Sequence, residues 1–305
     1  MAFLLIDRWY EPTDTLRKIS GYAKYTHMSR DDHGFLSGVI KKIRPKKVLE
    51  VGVAEGGTTA MIITSLEMAK CECEMFSSDI LNNYRGKEVG SMLNIIPKPK
   101  YVKHTLYTGT ILKDNIFKIG EDIDLVILDT SHNIPGEIIE FLTVFPFLSK
   151  NAYVILHDVN LCNLLAIRSG RVLESFRKTS PKVLFGTVSG EKYFNYDENE
   201  LNNIAAFKIN DCTRENIDDL FFSLSHLWYY GFSKEVLNEY KSYFQKYYSE
   251  ESLKLWDLAI NNQYHYRKNM NKTHKYLKFL DKYLQGPLYF KLILYNYYQK
   301  YLKHQ

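Results

Sequence analysis

Lys47-Val48-Leu49-Glu50-Val51-Gly52-Val53-Ala54-Glu55-Gly56-Gly57-Thr58-Thr59 is the stretch that decides the fold. A short apolar, β-branched run ends in glycine, and residues 58–68 have helical composition, so the segment predicts strand, glycine-rich turn, helix. The pattern repeats downstream. A second strand is expected over residues 74–78, ending at Asp79, and a third over 101–106. A fourth spans 124–128 and ends at Asp129. Residues 135–148 carry apolar side chains at helical spacing, and a fifth strand over 152–156 ends at His157-Asp158. Further strands are expected near 183–187 and 204–209. Upstream, a helix over 35–43 is stopped by Pro45. It follows a loop over 26–30 and a helical lead-in holding Trp9, Tyr10, Tyr22 and Tyr25. Strands alternating with helices imply an α/β protein with a Rossmann-like, mostly parallel seven-stranded sheet and helices on both faces.

Composition supports a packed core: 45% of the 305 residues are hydrophobic and 25% charged, which excludes global disorder. No apolar run reaches the ~18 residues of a membrane helix, and Phe3-Leu4-Leu5-Ile6 is too short for a signal-peptide core. Four cysteines without CxxC or metal-ligand spacing read as reduced thiols of a cytoplasmic protein. The net charge of +5 is uneven. Residues 1–232 carry 27 basic and 29 acidic side chains, residues 233–305 carry 13 and 6. The body therefore shows no nucleic-acid footprint. Three segments result: a lead-in over 1–34, a ligand-binding domain over 35–212, and a helical Tyr- and Lys-rich extension over 213–305.

In an open parallel sheet, ligands bind beyond the carboxyl ends of the strands. Those ends carry Glu50 to Thr59, Asp79, Asp129 to His132 and His157-Asp158. Glycines at the first turn let a ligand approach the backbone closely. The turn is neither GxGxxG nor GxxxxGK[ST], contains no Lys or Arg, and is flanked by Glu50 and Glu55, so it suits a cationic or neutral group better than a pyrophosphate. Asp79, 27 residues after Gly52, is placed to accept hydrogen bonds from a ribose diol.

With these residues in hand, the chain resembles the class I S-adenosylmethionine-dependent methyltransferases. Val48-Leu49-Glu50-Val51-Gly52, Gly56-Gly57-Thr58-Thr59 and Asp79 carry the resemblance. Asp129-Thr130-Ser131-His132 and His157-Asp158 are similar to the strand-four and strand-five motifs of a subgroup that includes macrocin and rhamnosyl O-methyltransferases. It covers residues 30–210 and implies that Glu50, Gly52, Val53, Ala54, Glu55, Gly56, Gly57, Thr58, Asp79 and Asp129 hold the cofactor, with residues 108–110 near adenine. It also implies Asp129 and Asp158 as ligands of Mg²⁺, although those metal-using relatives carry two adjacent acids where this chain has His157-Asp158. His132 or His157 would act as general base, with Asp158 beside them.

The implied reaction is O-methylation of a sugar hydroxyl in surface-polysaccharide or related glycan biosynthesis. N-methylation, phosphate-type O-methylation and a non-catalytic scaffold are the alternatives. The lack of an Asn/Asp-Pro-Pro-Tyr/Phe sequence argues against nucleic-acid base methylation. The basic extension reads as a solvated face with a packing stripe. Its functional alternatives are a homo-oligomer contact and peripheral docking to an anionic membrane or lipid-linked glycan, with Trp228, Trp256 and the tyrosines stacking on sugar rings.

Overall fold

The computed structural model describes residues 3–5, 26–169, 178–194 and 203–283, with side chains at 26–165, 178–194 and 203–266. The lead-in aromatics and residues 267–305 of the extension lie outside the described side chains. The chain divides into two compact units, Met1–Ala259 and Ile260–Gln305. The second is described only as the continuation of a helix over Glu250–Tyr283. Among the described residues, no helix is long and apolar enough to cross a membrane.

The first unit is built on one mixed sheet. Its strands are β1 (Phe3–Leu5), β2 (Lys47–Val51), β3 (Cys73–Asp79), β6 (Val102–Thr108), β7 (Ile123–Leu128), β8 (Leu148–His157), β9 (Glu191–Phe194) and β10 (Ile204–Lys208). A small hairpin, β4 (Asn83–Tyr84) and β5 (Lys87–Glu88), stands apart. The spatial order is β1-β9-β10-β8-β7-β2-β3-β6. From β6 to β8 all neighbours are parallel, while β10 runs antiparallel to both β8 and β9. The chain leaves β2 outward through β3 to β6, then returns to lay β7 on the other side of β2. That reversal opens a crevice beyond the tips of β2 and β7. The Rossmann-like, mostly parallel sheet is therefore as the sequence implies, with β1 added at the edge beside β9.

The helices of this unit are α1 (Arg30–Ile43), α2 (Gly57–Met68), α3 (Leu112–Ile119), α4 (Gly136–Val144), α5 (Leu161–Ser169), α6 (Ser180–Thr187), α7 (Asp211–Glu215), α8 (Ile217–Ser223) and α9 (Lys234–Phe244), followed by the start of α10 (Glu250–Tyr283). Val48, Met75, Leu125, Ile127 and Ile155 pack in one cluster with Phe35 and Leu36 of α1 and Met61 of α2. The residues between them on the strands, Leu49 and Val126 among them, are equally buried. Both sheet faces are thus covered, as continuous apolar strands require. On the opposite side Phe141 of α4 meets Phe207 of β10, with ring centroids 5.5 Å apart.

Two local expectations are corrected. Helix α1 begins at Arg30 rather than at 35, because Ser29 and Asp32 form a reciprocal capping box. The strand expected near 183–187 is helix α6. Pro181 sits in its first turn, where a missing N–H costs nothing, and the edge strand is the shorter, more polar Glu191–Phe194.

Candidate active site

A cavity of 1390 Å³ opens at the β2/β7 reversal and is walled by the turn after β2 and the ends of β3, β7 and β8. The turn fits there because Gly52 has no side chain. Its φ is +93°, and a Cβ would lie 2.0 Å from the carbonyl oxygen of Asp129 on the neighbouring strand end. Three other bordering residues, Ala54, His132 and Asp158, adopt the left-handed conformation although they are not glycine. Such strain concentrates where a site over-determines the backbone.

Gly52, Val53, Ala54 and Thr58 line the cavity, as do Asp79 and Asp129. Glu50, Glu55, Gly56 and Gly57 are not part of the lining. Oδ2 of Asp79 accepts hydrogen bonds from the Val53 and Ala54 N–H groups at 2.9 and 3.0 Å, and Oδ1 accepts one from Leu81 N. One carboxylate at the tip of β3 thus fixes the conformation of the turn after β2. Glu55 pairs with Lys87 at 2.8 Å, tying the turn to the small hairpin. Glu50 is fully buried. Its Oε2 accepts from Thr59 and Ser77, both at 2.7 Å, and Oε1 has no hydrogen-bond partner. Burial pushes this carboxyl up to about 8, against the pull of those two hydroxyls. Of residues 108–110, Thr110 lines the cavity.

The tips of β7 and β8 bring two histidines among carboxylates. Nε2 of His132 lies 2.9 Å from Asp158 Oδ2 and 3.8 Å from Asp129 Oδ1. On its other side Nδ1 is 3.2 Å from Glu137 Oε1, which also accepts the His132 backbone N–H at 2.7 Å. The Nδ1 contact is of ion-pair length without hydrogen-bond alignment. Burial works against a charge on this ring, but Asp158 and Glu137 outweigh it and push the imidazole up to about 10. His157 is deeper. Its Nδ1 is 3.1 Å from Asp129 Oδ1, and Nε2 faces Asp32 of α1 at 3.6 Å. Burial opposes its charge too, yet Asp129 and Asp32 hold it well above its ordinary range. Asp158 is the counterpart. Burial raises its carboxyl, but His132, His157 and a hydrogen bond from Asn203 Nδ2 lower it to about 2. The carboxylates around the two rings therefore favour their charged forms.

Asp129, His132 and Asp158 each offer one atom, and the three atoms lie within 4.8 Å of one another. Two carboxylate oxygens and one ring nitrogen make a donor set for a divalent ion, so the residues fit such a group. His132 joins the two aspartates that the sequence singles out for this role.

Besides Glu137 and Asn203, sequence reasoning missed further contributors. Asp32 reaches His157 from α1. Glu140 lines the cavity and accepts from Thr130 Oγ1 at 2.8 Å. Tyr230, Phe232 and Tyr240 form an aromatic wall from the segment before and within α9. No motif announces these aromatics; only packing brings them to the strand tips. Conversely, Trp228 and Trp256 do not line the cavity. They are buried against each other, Trp228 also against Phe232 and Trp256 also against Phe244 and Tyr240, which removes them as sugar-stacking surfaces.

No family model and no curated protein matches the sequence. Solved structures similar to this chain include a putative caffeoyl-CoA O-methyltransferase from Staphylococcus aureus (12% identity, 65% of this chain and 91% of that one, TM-score 0.43). Another is the O-methyltransferase TomG from Streptomyces achromogenes, solved in complex with SAM (13% identity, 68% and 92%, TM-score 0.42). An O-methyltransferase from Bacillus cereus in complex with SAH is similar at 14% identity over 65% and 90%, with a TM-score of 0.41. The fold assignment rests on the strand order and register described above.

Proposed function

We propose that the chain is an S-adenosylmethionine-dependent methyltransferase acting on a hydroxyl oxygen, with a sugar as the acceptor. The observation that carries this reading is the cavity at the β2/β7 reversal, where a glycine turn, Asp79 and the acid-rich tips of β7 and β8 converge. The Val53-Ala54 turn and Asp79 would take the amino-acid and ribose parts of the cofactor, and Asp129 would lie near its sulfonium. A cationic group is stabilised among these carboxylates.

When bound, the cofactor supplies a methyl group on a positively charged sulfur. Catalysis then needs a hydroxyl held in line with that methyl and a group to receive its proton. His132 lines the cavity with its side chain 21% exposed, whereas His157 is 3% exposed. His132 is therefore the better placed proton acceptor: Glu137 would hold Nδ1–H, and Asp158 would stabilise the Nε2–H that forms when Nε2 takes the proton. A cation docked among the same carboxylates favours the neutral ring that this role needs. His157, clamped between Asp129 and Asp32, holds the strand tips in register. If a divalent ion such as Mg²⁺ instead occupied Asp129, His132 and Asp158, His132 would be a ligand rather than the proton acceptor, and the ion would supply Lewis acidity toward the acceptor hydroxyl.

Isothermal titration with S-adenosylmethionine tests the reading. Saturable binding that weakens at least tenfold in Asp129→Ala is expected. No heat at millimolar cofactor would remove the proposal.

A further inference from the structure

The cavity is larger than one cofactor needs: 1390 Å³ exceeds the roughly 300–1,000 Å³ of a single-ligand pocket. The surplus has a wall of its own. Tyr230 and Phe232 meet edge to face at 5.6 Å, and Phe232 meets Tyr240 at 6.1 Å. The segment is anchored by Tyr229 N donating to Ile134 O at 2.9 Å and by Tyr230 Oη 3.1 Å from Ser131 Oγ. Gly136 makes room for this contact, since a Cβ there would lie 2.6 Å from Ser131 Oγ and 3.1 Å from Tyr230 Oη. Tyr230 and Phe232 are only half-buried, so these rings keep free surface on the cavity side. Glu140 lines the same space.

We propose that Tyr230, Phe232, Tyr240 and Glu140 form the acceptor subsite, and that it selects an amino sugar. Aromatic faces stack on the C–H face of a pyranose and attract an ammonium through the ring quadrupole. Glu140 supplies the matching carboxylate. Burial and Glu137 raise the Glu140 carboxyl, and an ammonium beside it favours its charged form. The lining holds no Lys or Arg among its described residues, and His132 and His157 are already paired with Asp158, Glu137 and Asp129, so they do not offer a carboxylate or phosphate the counter-charge that Glu140 offers an ammonium.

This assignment rests on the methyltransferase reading, and its test separates the two. D-glucosamine, D-glucose and D-glucuronate are titrated into the full chain at pH 7, with and without S-adenosylmethionine, and followed by saturation-transfer NMR. Glucosamine is expected to bind at least tenfold tighter than glucuronate. Glu140→Gln is expected to erase most of that ratio, and Phe232→Leu to weaken glucosamine severalfold. Both variants should keep the cofactor affinity within twofold, and that retained affinity also reports an intact fold. Equal binding of glucuronate, or variants that leave glucosamine unaffected, would overturn the subsite. Absence of cofactor binding by the unaltered protein would instead overturn the methyltransferase reading, while the sugar series still reports on the corner.

Discussion

Glu50 shows how a residue can look like a ligand contact in sequence and act as a strut in the structure. It precedes the glycine turn, yet it lies beneath it, gripping Thr59 of α2 and Ser77 of β3. Its carboxyl is raised from an ordinary 4.5 to about 8 by burial. Between those values the folded state binds more protons than the unfolded chain, so stability falls as pH climbs through the window and levels off above 8. Glu50→Gln mimics the protonated form and keeps an acceptor for both hydroxyls. The variant should therefore match the wild type near pH 5 and melt increasingly above it toward pH 8. The gap should reach about 10 °C or more by pH 8, since a rise from 4.5 to about 8 corresponds to about 5 kcal/mol and each kcal/mol to about 2–4 °C for a unit of this size. Melting curves at five pH values check this, and a constant gap would show that Glu50 carries no such penalty.

At the scale of elements, the turn after β2 holds its shape through its neighbour. The tip of β3 supplies Asp79, whose two oxygens take three backbone N–H groups. Asp79→Asn would leave at least one of these donors facing an amide N–H, at a cost of about 1–3 kcal/mol. The variant should lower the melting temperature and weaken S-adenosylmethionine at least tenfold by calorimetry. A variant that melts lower yet binds normally would confine Asp79 to the structural role. The parallel strands themselves were legible because Leu125-Val126-Ile127-Leu128 and similar runs are apolar on both faces, which only a covered sheet tolerates. Legibility ended where local signals compete. Residues 183–187 include Val183 and Phe185, which suit a strand, but Pro181 and packing settle a helix. The four-residue β9 begins Glu191-Lys192 and gives no period to read. The candidate cluster at the tips of β7 and β8 was legible as strand-end residues. Its protonation was not, since that depends on Asp32, Glu137 and Asn203 arriving from elsewhere in the chain.

Across the first unit as a whole, the polar ends of buried tyrosines join the helices after the sheet to the sheet's own cover. Helix α4 ends at Val144, and its last carbonyls lack intrahelical partners. Tyr243 Oη donates to Thr143 O at 2.6 Å, and Tyr248 Oη donates to Leu142 O. The helix beginning at the tip of β7 is thus capped by residues a hundred positions later. The same helical region presents Tyr240 to the cavity, so α9 is both a brace for α4 and a wall of the site. Removing the two hydroxyls separates these duties. Tyr243→Phe with Tyr248→Phe keeps the aromatic packing but leaves two buried carbonyls unpaired, a loss of about 1–3 kcal/mol each. The double variant should melt roughly 4–24 °C lower while its cofactor affinity stays within twofold, because the Gly52 turn and Asp79 do not depend on α9. A parallel collapse of cofactor affinity would mean that α9 also holds the strand tips in place.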